Sequence, residues 1–344
     1  MLRRLAFLLE AVDRVRFGAP TLPGPDAAVP TGEQDCRILV VVAHWRRLDG
    51  DAASQIEPLR TCLLGLLALQ VDQLDVVIQT NDETGAAAAV AEIVREGGAA
   101  LSAATVRVGE WARPSAGPKD IVIERWRPRG LRTHGFNLTW DHKRIFRRAL
   151  RARHFTHLLY LEDDIGFTGA NLRYWLAARR PLHANALIPG FVRFEWHEGR
   201  RMLTDQARSG QHLDAGTVEV LGLGRVGLSV SRRPYQALVL LDAPLAEHHL
   251  ARSPMRSRLR SRVIDWPIRE RACAGEMFCP TRSPLRAFIA AEVAPRPQSR
   301  HGVLLDAAAA DGTGFVPGAL IEHLRPTASN DPLTTLGKVP VEGF

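Results

Sequence analysis

The strongest constraint in this chain is a short apolar run, Leu158-Leu159-Tyr160-Leu161, that ends in three consecutive carboxylates, Glu162, Asp163 and Asp164, before Ile165 and Gly166. An apolar run of this length reads as a buried strand. Three adjacent acids repel one another and cannot be buried bare. A positive partner must meet them, and a divalent cation does so compactly. Hard oxygen ligands suit Mg²⁺ or Mn²⁺, which keep waters and share their shell with substrate phosphates. The competing reading is a solvated acidic turn, because such carboxylates mark sites only statistically.

The preceding residues give this run its setting. Residues 37–43 (RILVVVA) form a continuous run rich in β-branched residues, as expected of a strand buried on both faces of a parallel sheet. Residues 57–70 carry Leu59, Leu63, Leu66, Leu67 and Leu69 at helical spacing. A second strand is expected over 74–79, ending at Thr80-Asn81-Asp82, with an alanine-rich helix over 86–96. Residues 121–124 read as a third strand and 139–152 as a basic helix, before the acidic strand itself. This alternation predicts an α/β fold with an open, mostly parallel, Rossmann-like sheet flanked by helices. Ligands of such sheets bind beyond the carboxyl ends of the strands. The loops 44–52, 80–84 and 162–167 are therefore expected to line one cleft.

The flanking segments are less regular. Residues 1–17 read as an amphipathic helix, lying either on an anionic membrane or on the protein's own surface. Their apolar core is too short and interrupted for a signal peptide. Residues 18–34 hold four prolines and three glycines and read as a linker. The expected division is 1–35 as helix and linker, 36–326 as one catalytic domain with its halves meeting at 167/168, and 327–344 as a tail. In the second half, strands are expected within 187–195, within 222–231 and over 303–305, and a closing segment over 315–326. Gly222, Gly224 and Gly227 match a dinucleotide fingerprint only loosely, since a strand follows them. Residues 251–272 carry seven arginines; their first part reads as an exposed loop over the site, and 265–274 as a short helix.

Composition narrows the class of partner. Lys and Arg number 45 against 37 Asp and Glu, and the isoelectric point is near 10.0, which favours anionic ligands. The arginines are not interleaved with aromatic residues, and no nucleic-acid motif is present, so no nucleic-acid partner is expected. Cys36, Cys62, Cys273 and Cys279 form no C-x-x-C pair, which argues against a zinc site or a disulfide framework and for a reducing compartment. No apolar run approaches the roughly 18–20 residues of a membrane span. The expected location is cytoplasmic, with residues 1–17 as a peripheral contact at the inner face of the membrane.

The order of these elements over residues 36–326 resembles the nucleotide-sugar-dependent glycosyltransferases of the A-type fold. The resemblance is carried by the first two strands with Thr80-Asn81-Asp82, by the E-D-D form of the D-x-D motif at 162–164, by Gly227-Leu228-Ser229-Val230-Ser231, by Asp265-Trp266-Pro267-Ile268-Arg269 and by His323. It implies transfer of a hexosyl or N-acetylhexosaminyl group from a nucleotide-sugar donor to a glycan or lipid-linked acceptor, such as a cell-surface polysaccharide. The cofactor implied is Mn²⁺ or Mg²⁺, held by Asp164, Asp163 and His323. The nucleotide sugar is expected to meet His44, Arg46, Asn81, Asp82, Lys143, Glu162 and Asp163. Asp265 or Glu270 is the expected base of an inverting reaction. Two alternatives stay open. One is a metal-dependent nucleotidyltransferase or phosphohydrolase, although Ala43-His44-Trp45-Arg46-Arg47 is not the glycine-rich phosphate loop expected of a nucleotidyltransferase. The other is a basic nucleic-acid-binding protein.

Overall fold

The computed structural model describes residues 22–25, 30, 32–47, 52–97, 104–127, 135–203, 212–231, 237–252, 269, 272–273, 301–305, 314–325 and 339–340. Its first half alternates strand and helix: β1 (Arg37–His44), α1 (Ala52–Leu67), β2 (Gln73–Thr80), α2 (Glu83–Glu96), β3 (Ala104–Val108), β4 (Lys119–Arg125), α3 (His142–Ala152) and β5 (His157–Glu162). A 3₁₀ turn, Gly135–Trp140, leads into α3. The second half runs β6 (Ile165–Gly166), α4 (Gly169–Ala184), β7 (Ile188–Pro189), β8 (Val192–His197), β9 (Arg200–Leu203), β10 (His212–Val220), β11 (Gly224–Ser231), β12 (Leu238–Asp242), α5 (Ala243–Arg252), β13 (His301–Leu305), β14 (Leu320–His323) and β15 (Val339–Pro340).

The main sheet has six strands in the order β12-β5-β1-β2-β4-β3. Five are parallel, and β12 closes one edge antiparallel to β5. The fold is thus α/β around a mixed, mostly parallel sheet that is Rossmann-like in a coarse sense. The continuous apolar runs are the cause: Ile38 to Val42 of β1 are 0% exposed, as both faces of a central parallel strand must be. Burying each such side chain is worth about 1.5–3 kcal/mol. From β1 the chain steps to β2 on one side and returns through α3 to β5 on the other. The carboxyl ends of β1 and β5 therefore flank the point where strand order reverses, the usual place for a ligand crevice.

Two smaller sheets build the second half, in the orders β10-β11-β13-β7 and β15-β9-β8-β14-β6. The second of these positions the site. β14 runs antiparallel to β6, which sets His323 opposite Ile165, and parallel to β8, which sets Glu322 opposite Phe194.

Several expectations change. The acidic strand ends at Glu162; Asp163 and Asp164 form a turn, and Ile165 begins β6 in another sheet. The helix expected from Glu57 starts at Ala52, and that expected from Thr139 starts at His142. Strands β3, β10 and β12 and helix α5 have no counterpart in the sequence reading. Arg252 ends α5 and Arg269 is described, while the other arginines of the arginine-rich stretch lie outside the described residues, as do residues 1–21 and part of the linker. Among the described residues no helix is long and apolar enough to cross a membrane.

A buried ion pair ties α4 to β12. Arg179 of α4 donates through Nε to Asp242 at the end of β12, 2.8 Å away, and through Nη2 to the carbonyl of Pro23. Four buried histidines are instead held neutral, among them His249, which burial and then Lys143 and His142 depress well below the ordinary value. Burial depresses His301 to about 3; burial and then Arg179 depress His157 to about 4; burial and then Lys143 depress His142 to about 3. Above the ordinary value of 6.5 both folded and unfolded chains keep these rings neutral. Below it the unfolded chain takes up protons that the folded chain refuses. Stability should therefore be full above pH 6.5 and fall as pH drops toward 4, by about 1 kcal/mol per pH unit for each histidine. Urea unfolding as a function of pH measures this, and His301→Gln should flatten the slope.

Candidate functional site

The turn after β5 is fixed by the backbone. The Asp163 N–H donates to the Ala43 carbonyl at 3.2 Å, and the Leu324 N–H donates to the Asp164 carbonyl at 2.7 Å. These bonds join the ends of β1, β5 and β14. Beside them opens a cavity of about 620 Å³. Its wall includes Trp45, Arg46, Arg47 and Asn81 from the β1 and β2 loops, Glu162 from the end of β5, Asp163 and Asp164 from the turn after it, and Arg269 and Arg325.

Each acid meets a basic side chain brought from elsewhere in the chain. Glu162 accepts from Arg269 Nη1 at 2.7 Å. Asp163 Oδ2 lies 2.6 Å from His44 Nδ1 and accepts from Arg325 Nη2 at 3.2 Å. Asp164 Oδ2 stands 3.4 Å from His323 Nε2, while His323 Nδ1 is 2.7 Å from Glu195 Oε1. Burial works against the Asp164 charge, but His323, Arg325 and Arg193 outweigh it and hold the carboxyl below its usual range. His323 is raised in turn, because its two carboxylate partners outweigh its burial. Behind the acids, burial and then the charges of Asp163 and Asp164 push the Cys62 thiol well above its ordinary value, so it stays protonated.

The structure distributes the expected site residues unevenly. Arg46, Asn81, Glu162, Asp163 and Asp164 line the cavity together. His44 does not line it but buttresses Asp163, and His323 sits behind Asp164. Asp82 is occupied locally: it caps α2 by accepting from the Gly85 N–H at 3.1 Å, and it pairs with the Arg46 guanidinium. Lys143 is fully buried, with Nζ 3.9 Å over the Trp140 ring, and does not reach the cavity. Its helix presents that face to the core, because α3 packs its apolar stripe inward. Asp265 and Glu270 lie outside the described residues, although Arg269 between them is at the cavity. The sequence reading missed Arg325, Glu195 and Gln55. For Arg325 a signal existed: it follows His323 by two positions at a strand end, and alternate residues share a face.

Whether the site suits a divalent cation can be tested on its free valences. Among the described residues no group of three or more His, Cys, Asp or Glu side chains could by itself hold an ion. The Asp164 Oδ1 atom, however, is shielded from solvent and has no hydrogen-bond partner among the described residues. That donor set fits Mg²⁺ or Mn²⁺, which take one or two carboxylates and complete their shell with water and phosphate. It does not fit an ion caged by protein alone.

The indole of Trp45 forms part of the wall, edge-on to Trp126 with ring centroids 5.7 Å apart. Gly135 lies against it so closely that a Cβ there would stand 2.6 Å from the ring. Gly135→Ala should displace Trp45 and lower stability by about 1–3 kcal/mol through overpacking. Thermal unfolding of the variant measures the loss.

No protein-family model matches the chain, and no curated protein matches it.

Proposed function

We propose that the protein is a metal-dependent glycosyltransferase acting on a nucleotide-sugar donor. The carrying observation is the bare, shielded Oδ1 of Asp164, set beside Asp163 in a cavity that four arginines also line. A nucleotide diphosphate needs such a mixture: carboxylates to share an ion with it, and guanidiniums to meet its remaining charge. The cavity lies at the carboxyl ends of β1 and β5, where open α/β sheets bind ligands.

Asp164, with Asp163 beside it, would hold the ion and leave the rest of its shell to water and phosphate, while His323, oriented through Nδ1 by Glu195, would back Asp164. Mg²⁺ or Mn²⁺, when bound, neutralises charge that develops on the departing phosphates. Arg325 and Arg46 would flank the same phosphates, and Trp45 would offer an aromatic face to the nucleoside. An inverting reaction also needs a carboxylate to take the proton of the acceptor hydroxyl. Asp265 and Glu270, which flank the cavity residue Arg269 within a few positions of sequence, are the candidates. The acceptor is read as a glycan or a lipid-linked saccharide.

A thermal-shift series of nucleotide sugars with and without Mn²⁺ tests this reading, since a ligand that binds the native state raises its apparent stability. The wild type should respond to at least one donor in a Mn²⁺-dependent manner. Asp164→Asn should lose that response while keeping its own unfolding temperature within a few degrees. Full activity of Asp164→Asn in chelator-treated buffer would refute the assignment. For the base, kcat should fall by about 10²–10⁴-fold in either Asp265→Asn or Glu270→Gln, with donor affinity kept. Near-normal kcat in both variants would place the base elsewhere.

A further inference from the structure

We propose that Gln55 and Asn81 are positioning residues that hold an arginine cradle for a diphosphate. The proposal rests on the reading of the cavity as a nucleotide-diphosphate site, and it names the groups that would grip the phosphates.

Past the end of β1 the backbone of Arg46 and Arg47 has no strand to pair with. Two carboxamides take that place. The Arg46 N–H donates to Asn81 Oδ1 at 2.8 Å, and Asn81 Nδ2 donates back to the Arg46 carbonyl at 2.9 Å. One residue on, the Arg47 N–H donates to Gln55 Oε1 at 2.6 Å, and Gln55 Nε2 donates to the Arg47 carbonyl at 3.2 Å. A carboxamide has both an acceptor and donors, so each side chain reproduces the paired bonds of a neighbouring strand. Two successive residues are thus locked from opposite sides, one by the loop after β2 and one by α1.

The locked segment carries two guanidiniums on the cavity rim. Arg46 is steadied by Asp82. Arg47 is exposed, and its guanidinium pairs with no carboxylate among the described residues. Gln55 also reaches the opposite wall, because its own carbonyl accepts from Arg325 Nη2 at 3.2 Å, the same nitrogen that bonds Asp163. One residue therefore sets Arg47 through its side chain and Arg325 through its backbone. In the cavity wall Arg46, Arg47, Arg269 and Arg325 stand with Glu162, Asp163 and Asp164; Asp82 answers Arg46 from outside the wall, which leaves Arg47 as the guanidinium open to an anion. Guanidinium forks match phosphate oxygens in pairs, and fixing them beforehand removes part of the ordering cost of binding. A loop clamped merely for stability would have no need to present its cations to a cavity.

Calorimetric titration with inorganic pyrophosphate, in chelator and at fixed ionic strength, tests the proposal. The wild type should bind. Arg47→Gln and Gln55→Leu should each weaken binding by about ten- to a hundredfold, the range for a lost charge-assisted contact. Because Gln55 acts through Arg47, the double variant should bind no more weakly than Arg47→Gln alone. Losses that multiply in the double variant would overturn the positioning role. So would an unchanged affinity in Arg47→Gln, a surface variant that stands as a test even where Gln55→Leu does not fold. Absence of pyrophosphate binding by the wild type would overturn the cradle, while a Mn²⁺-dependent shift with a nucleotide sugar would keep the glycosyltransferase reading. Coupled pyrophosphate binding without any nucleotide-sugar response would keep the cradle and remove that reading.

Discussion

Three like charges at the end of a buried strand are the constraint on which the site depends. Glu162, Asp163 and Asp164 cannot share one turn unless cations reach them. Leaving one such carboxylate buried without its partner costs about 3–5 kcal/mol, a large fraction of the stability of a typical domain. The fold meets this by convergence. Arg269 serves Glu162, His44 and Arg325 serve Asp163, and His323 serves Asp164. These residues come from the end of β1, the end of β14 and the segment around 269. Charge repulsion in one turn thereby ties the main sheet to the second half of the chain.

The same convergence leaves the site poised rather than saturated. Asp163 is engaged through Oδ2, whereas Asp164 Oδ1 has no hydrogen-bond partner among the described residues. His323 is held between two carboxylates, Asp164 and Glu195. Around this centre the wall is stiff: backbone bonds fix the turn, carboxamides fix the β1 loop, and Gly135 admits the Trp45 ring at close range. Fixed charges in a stiff wall stabilise charge more effectively than mobile ones, because they need not reorganise as it develops.

Particular residues show how much was legible beforehand. Ile38 to Val42 and Leu158 to Leu161 announce themselves as strands because a strand buried on both faces must be apolar throughout. Edge strand β3, with Val106 and Val108 exposed, carries no such signature. Strand β12 is equally apolar but runs antiparallel at an edge, where no strand-helix alternation marks it. Among the site residues, Asp163 and Asp164 were legible from their position after a strand. Lys143 was expected at the nucleotide sugar, yet α3 turns it inward against Trp140. Asn81 and Asp82 were legible as loop residues, but their hydrogen bonds serve Arg46 and the start of α2.

By itself the sequence determined the alternation of strand and helix, the parallel character of the main sheet and the place of the acidic turn at its carboxyl edge. Those follow from local periodicity and from the need to bury apolar runs on both faces. Tertiary structure alone decided which cation meets which acid. Arg325 lies 162 positions from Asp163 in the chain, and Glu195 lies 128 from His323. No local pattern encodes such pairs, because they arise where β14 enters between β6 and β8. Strand register chose the partners, and register is set by packing across the whole molecule.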